Sequence, residues 1–273
     1  MSEPALRVVE GLPAVLDALD LETIDVDLYR DRHEITNSGR VYGGQVAAQA
    51  LVAAERTVEV SMRTHSLHAY FLRPGEAAER VVFRVDRPHD GRTFARRCVT
   101  AVQRGRPILC LEASFTAGGE AATHHRRPPE GTPDAPDCVP TVWSVAVAGV
   151  QPWTAVELRP TAGREAPGLA QDVWFRLRGQ DRRDGVSEAA LLTYLSDLTL
   201  AATVKRTDPA ITRLTSLDHV MWFHNEVRFD DWLLYAKECA ALGARRGLTQ
   251  GSVFSRTGTL VSTVAQEVLV GYS

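Results

Sequence analysis

Near its middle the chain runs through AGGEAATHHRRPPEGTPDAPDCVP, residues 117–140, with five prolines and almost no periodic apolar pattern. Such a stretch cannot continue a helix or an interior strand. It is therefore expected to link two patterned halves and to stay out of the core. The same order of elements is legible on both sides of it. Residues 43–58, GGQVAAQALVAAERTV, give a helix pattern rich in Ala and Val, and 62–74, MRTHSLHAYFLRP, an aromatic-rich strand. Residues 81–115 then read as three strands joined by turns at HDGR and RGRP. After the linker, 187–204 is again a helix pattern and 214–227 again an aromatic strand, followed by strands that end at LVSTVAQEVLV, 260–270. His68 matches His219, Phe71 matches Trp222 and Gly105 matches Gly258. One helix followed by a run of antiparallel strands in each half gives an α+β class, a long helix wrapped by a curved sheet. The expected division is a first repeat over 1–116, the proline-rich linker, and a second repeat over 141–273. Chance likeness between two α+β halves is the competing explanation.

Composition narrows the function. With 273 residues, 44% of them hydrophobic, the chain can bury a large core. A net charge of −3 lacks the basic stripe of a nucleic-acid or anionic-membrane binder. No window approaches a membrane span, the first residues lack the pattern of a signal peptide, and the C-terminal GYS is not a peroxisomal tripeptide. Cys98, Cys110, Cys138 and Cys239 form neither a C-x-x-C pair nor a zinc spacing, as expected of thiols in a reducing compartment. A soluble cytoplasmic protein is expected. His65 and His68 fall on opposite faces of one strand and cannot share a metal there. G-x-S-x-G, Walker A, G-x-G-x-x-G and H-E-x-x-H patterns do not occur.

What remains is three polar residues in apolar places. Between Glu188 and Lys205 the only charge is Asp197, in a helix pattern that is apolar or small on nearly all faces. Such a helix is buried, so Asp197 is expected to be a buried carboxylate without a cation on its own helix, suited to act as a general base. On position alone it serves equally well as a structural carboxylate bonded to a backbone or tyrosine group. Gln266 shares the apolar face of the last strand with Val264, Val268 and Val270, where a primary amide must find partners. Ser216 opens the second aromatic strand, on a face with Val220 and Trp222. Each alone reads as structural; a carboxylate, a hydroxyl and an amide together could hold and deprotonate a water, a hydrolytic arrangement without a covalent nucleophile.

The segments GRVYGGQVAAQAL, HSLHAYFLRPG, DGRTFARRCVTAVQRGRPI, YLSDL, SLDHVMWFH, ARRGLTQGSVF and TGTLVSTVAQE resemble, in order and spacing, the acyl-CoA thioesterase II family. The resemblance covers nearly the whole chain and is weakest in the linker and over 141–170. It implies a double hot dog fold, two tandem repeats of a long helix wrapped by an antiparallel sheet. It implies hydrolysis of acyl-CoA to free fatty acid and CoA without a cofactor or metal. The family's catalytic Asp, hydroxyl and Gln fall on Asp197, Ser216 and Gln266, with serine where many bacterial members have threonine. Thr215 is a neighbouring hydroxyl, but on a strand it points to the other face. EVLV follows Gln266 where relatives often have EGL or EGV, so Val268 replaces a glycine.

Donors for the developing oxyanion are expected at the start of the first helix. There Gly43 and Gly44 would admit a close backbone approach, or would only allow close helix packing. A non-catalytic acyl-CoA-binding or regulatory module is the alternative function. An enoyl-CoA hydratase fits less well, because no histidine lies within 43–58 or 187–205. The expected partner is the acyl-CoA substrate alone, with no nucleic acid, and further copies of the chain in a dimer or tetramer.

Overall fold

The computed structural model describes residues 11–32, 39–119, 124–140, 154–161 and 172–272. The start of the first repeat at 1–10, expected to lack a signal-peptide pattern, and the start of the second at 141–153 lie outside the described residues. In the first half, α1 (Leu12–Leu19) and the hairpin β1 (Leu21–Asp25)–β2 (Leu28–Asp31) precede α2 (Gly43–Glu55). Then come β3 (Arg63–Phe71), β4 (Val82–Asp90), β5 (Phe94–Gln103) and β6 (Arg106–Thr116). In the second half, β7 (Val156–Pro160) and β8 (Val173–Leu177) precede α3 (Glu188–Ser196). They are followed by a 3-10 turn (Ala201–Arg206), β9 (Ile211–Ser216), β10 (Asp218–Phe223), β11 (Leu233–Gly243), β12 (Arg246–Ser255) and β13 (Leu260–Tyr272).

All strand pairs among the described residues are antiparallel and form one sheet, β1-β2-β4-β5-β6-β3-β10-β13-β12-β11-β8-β7, with β9 also on β13. The order reads alike from both ends, and the halves meet where β3 pairs with β10. Their register sets Tyr70 opposite Asp218 and Ser66 opposite Trp222. Exchanging the halves therefore puts Ser66 in the place of Asp218 and Leu67 in the place of His219. This corrects the sequence match by one residue for the strand, while Gly105 and Gly258 both stand at hairpins with positive φ. The likeness of the two halves is thus one of topology and register.

Residues Gly44 to Ala54 of α2 are all buried, as a helix without a polar face requires. The strands alternate against it; in β13 every even position from Leu260 to Val270 is buried. The β5–β6 turn places Arg104 and Gly105 at φ 48° and 71°, and β11–β12 places Ala244 and Arg245 at 47° and 61°. Both are the left-handed pairs that match strand twist in two-residue hairpins.

Three expectations change. The second helix ends at Ser196 rather than Val204, because side chains from elsewhere take its last carbonyls: the Tyr42 hydroxyl donates to Tyr194 O at 2.8 Å and that of Tyr235 to Ser196 O at 3.3 Å. The second aromatic strand divides into β9 and β10 around Leu217. There the pairing with β13 slips by one residue, from Ser216 opposite Val268 to Val220 opposite Ala265. Finally, part of the linker is buried. Ala135 and Cys138 pack with Trp174, Trp232, Leu234 and Phe254 on the outer face of the second-half sheet. The 3-10 turn Ala135–Asp137 lets prolines coexist with burial, since Asp134 caps it.

A test of the packing lies at Gly251, whose missing Cβ is replaced by the Tyr235 ring. Gly251→Val should lower stability by about 1–3 kcal/mol in urea unfolding; an unchanged midpoint would contradict the contact.

Candidate active site

The bulge around Leu217 brings the ends of β9 and α3 to the middle of β13. Gln266, 0% exposed, donates from Nε2 to Asp197 Oδ1 at 2.6 Å and to Ser216 Oγ at 2.9 Å. The carboxylate oxygen can only accept, so the amide nitrogen must face it. The carbonyl end, Gln266 Oε1, is buried and finds no hydrogen-bond partner among the described residues. The three residues expected to act together are thus one bonded cluster. Asp197 and Ser216 are half-buried rather than buried; Asp197 caps α3 at its C-terminus with helical φ and ψ. Thr215 is exposed on the other face.

The two glycines separate in role. Gly43 is the first residue of α2, and a Cβ there would lie 3.2 Å from Asp197 Oδ2 and 3.1 Å from the Phe71 ring. A side chain here would force the Asp197 carboxylate or the Phe71 ring to give by a few tenths of an ångström. At Gly44 a Cβ would meet Tyr194 O at 2.8 Å, so Gly44 seats α2 against α3. Neither amide has an acceptor among the described residues, so the helix start presents free N–H groups and the positive end of its dipole.

Four residues around the cluster escaped the sequence reading. The Tyr42 and Tyr235 hydroxyls are pushed well above the ordinary tyrosine range, by burial first and by the Asp197 charge as well. Both stay protonated and act as donors that fix the last turn of α3. Ser196 Oγ donates to Thr193 O at 3.0 Å and so accepts from His219 Nε2 at 2.8 Å. Burial lowers the His219 pKa, leaving it neutral, and it pins the residue before Asp197 to β10. A hint existed in SLDHVMWFH, where His219 and Met221 alternate onto the apolar face. Among the described residues, no group of three or more His, Cys, Asp or Glu side chains could hold a metal ion.

The first half carries an incomplete copy. Thr64 stands opposite Phe115 as Ser216 stands opposite Val268, each just before a one-residue slip in pairing. Glu55, at the end of α2, accepts from Thr64 Oγ1 at 2.7 Å and from Ser187 Oγ, the N-cap of α3, at 2.8 Å. Carrying the register along β6 puts Ala113 in the place of Gln266. The first residue of α3 is Glu188, where α2 has Gly43. A carboxylate and a hydroxyl remain here without the amide and without the open helix start.

The chain matches two family models, the acyl-CoA thioesterase N-terminal domain over residues 32–118 and the acyl-CoA thioesterase C-terminal domain over 123–270. It is 32% identical to human acyl-coenzyme A thioesterase 8 over 94% of this chain and 88% of that one. To acyl-CoA thioesterase 2 of Haemophilus influenzae it is 30% identical, over 95% and 97%. The crystal structure of an acyl-CoA thioesterase II from Mycobacterium marinum superposes with a TM-score of 0.82 at 36% identity, covering 95% of this chain and 99% of that one. A hot dog fold protein from Alicyclobacillus acidocaldarius, 20% identical with a TM-score of 0.78 over 95% and 98%, shares the fold.

Glu55 yields a pH dependence. Part of the residue reaches solvent, but its carboxyl is wedged between helices, and burial raises its pKa to about 7 against its two hydroxyl bonds. The fold therefore favours the protonated form. Its stabilisation should be full below the unfolded value of about 4.3 and be lost as pH rises through about 7. The melting temperature of wild type minus that of Glu55→Gln should decline across this window; a pH-independent difference would refute the shift.

Proposed function

The chain belongs to the acyl-CoA thioesterase family, and we propose that it hydrolyses acyl-CoA thioesters with a water held by Asp197, Ser216 and Gln266. The observation that carries this reading is the Gln266 amide, which bonds both other groups and leaves its carbonyl oxygen for a fourth partner. A water that donates to Gln266 Oε1 and to Asp197 fills that role. Asp197 takes its proton as the oxygen attacks the thioester carbonyl. The tetrahedral oxyanion forms at the start of α2, where the Gly43 and Gly44 amides supply fixed donors and the helix dipole favours negative charge. Collapse breaks the carbon–sulfur bond, the thiolate of CoA recovers the proton from Asp197, and the free acid leaves. Ser216 accepts from Gln266 and keeps its own hydrogen to donate, so it orients the water or the thioester without forming a bond to the acyl group. No cofactor takes part.

The duplicated topology and the hot dog neighbours support a double hot dog, divided as 1–116, the linker and 141–273. Among the described residues β1 and β7 end the sheet, and edge strands suit assembly into dimers or tetramers. A cytoplasmic role in lipid metabolism fits the substrate. Among the described residues no helix is long and apolar enough to cross a membrane.

Asp197→Asn and Gln266→Ala should each cut kcat about 100-fold or more in a thiol-release assay, with thermal unfolding little changed. Ser216→Thr should keep most of the turnover. Wild-type turnover in both Asp197→Asn and Gln266→Ala would overturn the assignment, and thiol release by the wild type separates an enzyme from a binding module.

A further inference from the structure

Beside the catalytic cluster lies a small, partly open cavity. It is walled by Leu158, Val173 and Phe175 of β7 and β8, by Leu195 and Thr199 on either side of Asp197, and by Tyr235. Its volume is about 10 Å³, enough for the centre of about one water. Two features connect it to the reaction. Leu195 and Thr199 flank the carboxylate in the chain, and the Tyr235 ring that closes one side is tied by its hydroxyl to Ser196 O at 3.3 Å. The cavity therefore abuts the turn that presents Asp197.

One atom in this apolar lining is out of place. Thr199 is 4% exposed, and its hydroxyl has no hydrogen-bond partner among the described residues. A buried hydroxyl without a partner costs free energy that valine, of the same shape, would avoid. The opposite walls are fixed, with Leu158, Val173 and Phe175 at 5%, 4% and 5% exposure. A long alkyl chain would have to displace this packed hairpin, which is costly. A short acyl group needs only rotamer changes of the leucines.

Resting on the thioesterase reading of Asp197, we propose that this cavity receives the tail of the acyl group and selects short chains carrying a hydroxyl or oxo oxygen, which bonds to the Thr199 hydroxyl. Leu158 and Val173 set the length limit. Thr199 sets the polarity. A site that hydrogen-bonds a substrate oxygen discriminates against the analogue without it, because its own polar group is then left unpaired.

The test follows thiol release from butyryl-CoA, 3-hydroxybutyryl-CoA, acetoacetyl-CoA and palmitoyl-CoA. The wild type should show a kcat/KM about tenfold higher for at least one oxygenated substrate than for butyryl-CoA, and its lowest value for palmitoyl-CoA. Thr199→Val should abolish the preference for oxygen. Leu158→Ala should raise palmitoyl-CoA turnover relative to butyryl-CoA, and Val173→Ala makes the same enlargement if Leu158→Ala does not fold. An unchanged oxygenated-to-butyryl ratio in Thr199→Val, or a wild type that prefers palmitoyl-CoA, overturns the proposal while thiol release leaves the role of Asp197 standing. Undiminished turnover in Asp197→Asn instead overturns the reading on which it rests.

Discussion

The pairing of β3 with β10 fixes nearly everything else. By joining two half-sheets edge to edge in antiparallel register, it sets α2 and α3 side by side and running in opposite directions. The start of each helix then meets the end of the other: Gly43 faces Asp197, and Ser187 faces Glu55. A carboxylate at a helix C-terminus is disfavoured by its own helix dipole and favoured by the N-terminus opposite. The join therefore creates two places where a carboxylate is held by a neighbouring helix, before any residue is specialised for chemistry.

The two places then diverge through a few side chains. Around Asp197 an amide on β13, a hydroxyl on β9 and a glycine at the helix start leave a pocket of polar atoms with capacity to spare. Around Glu55 the amide position holds Ala113, the histidine position holds Leu67, and the helix start carries Ser187 and Glu188. There both hydroxyl bonds go to one oxygen of Glu55, which makes the group a tie between helices. The same backbone thus holds the proposed catalytic cluster at one end and a tie between helices at the other.

The sequence made the repeats legible because periodicity records burial, and both α2 and β13 are strongly patterned. It exposed Asp197 and Gln266 because polar groups on apolar faces stand out against that pattern. Ser216 is expected on a face with Val220 and Trp222, but the slip at Leu217 sets it on the buried face of His219 and Met221 and leaves Trp222 exposed. Other features depend on distant partners and left no local trace. The early end of α3 is set by Tyr42 and Tyr235, from the other helix start and from β11. The slip at Leu217 is a matter of pairing, and so is the β3–β10 register that moves the match of His68 from His219 to Val220. The burial of Ala135 and Cys138 depends on two tryptophans of the outer sheet face, which a proline-rich composition does not reveal. Glu55 looked like an ordinary helix-end charge, since Ser187 lies far away in the chain.

The electrostatics of the cluster follow from the same geometry. At rest the start of α2 faces the Asp197 carboxylate, and its free amides favour that charge. In the proposed reaction, deprotonating a water would move the negative charge from Asp197 to the thioester oxygen, also at the start of α2. The donors need not reorganise, because the charge moves between two positions they already serve, which is the condition for effective transition-state stabilisation. Glycine at the first helical position keeps this approach free of strain, since a Cβ on residue 43 would lie 3.2 Å from Asp197 Oδ2 and 3.1 Å from the Phe71 ring. The Gln266 amide completes the arrangement from the sheet side, where its bond to Asp197 restrains the carboxylate that the helix start stabilises.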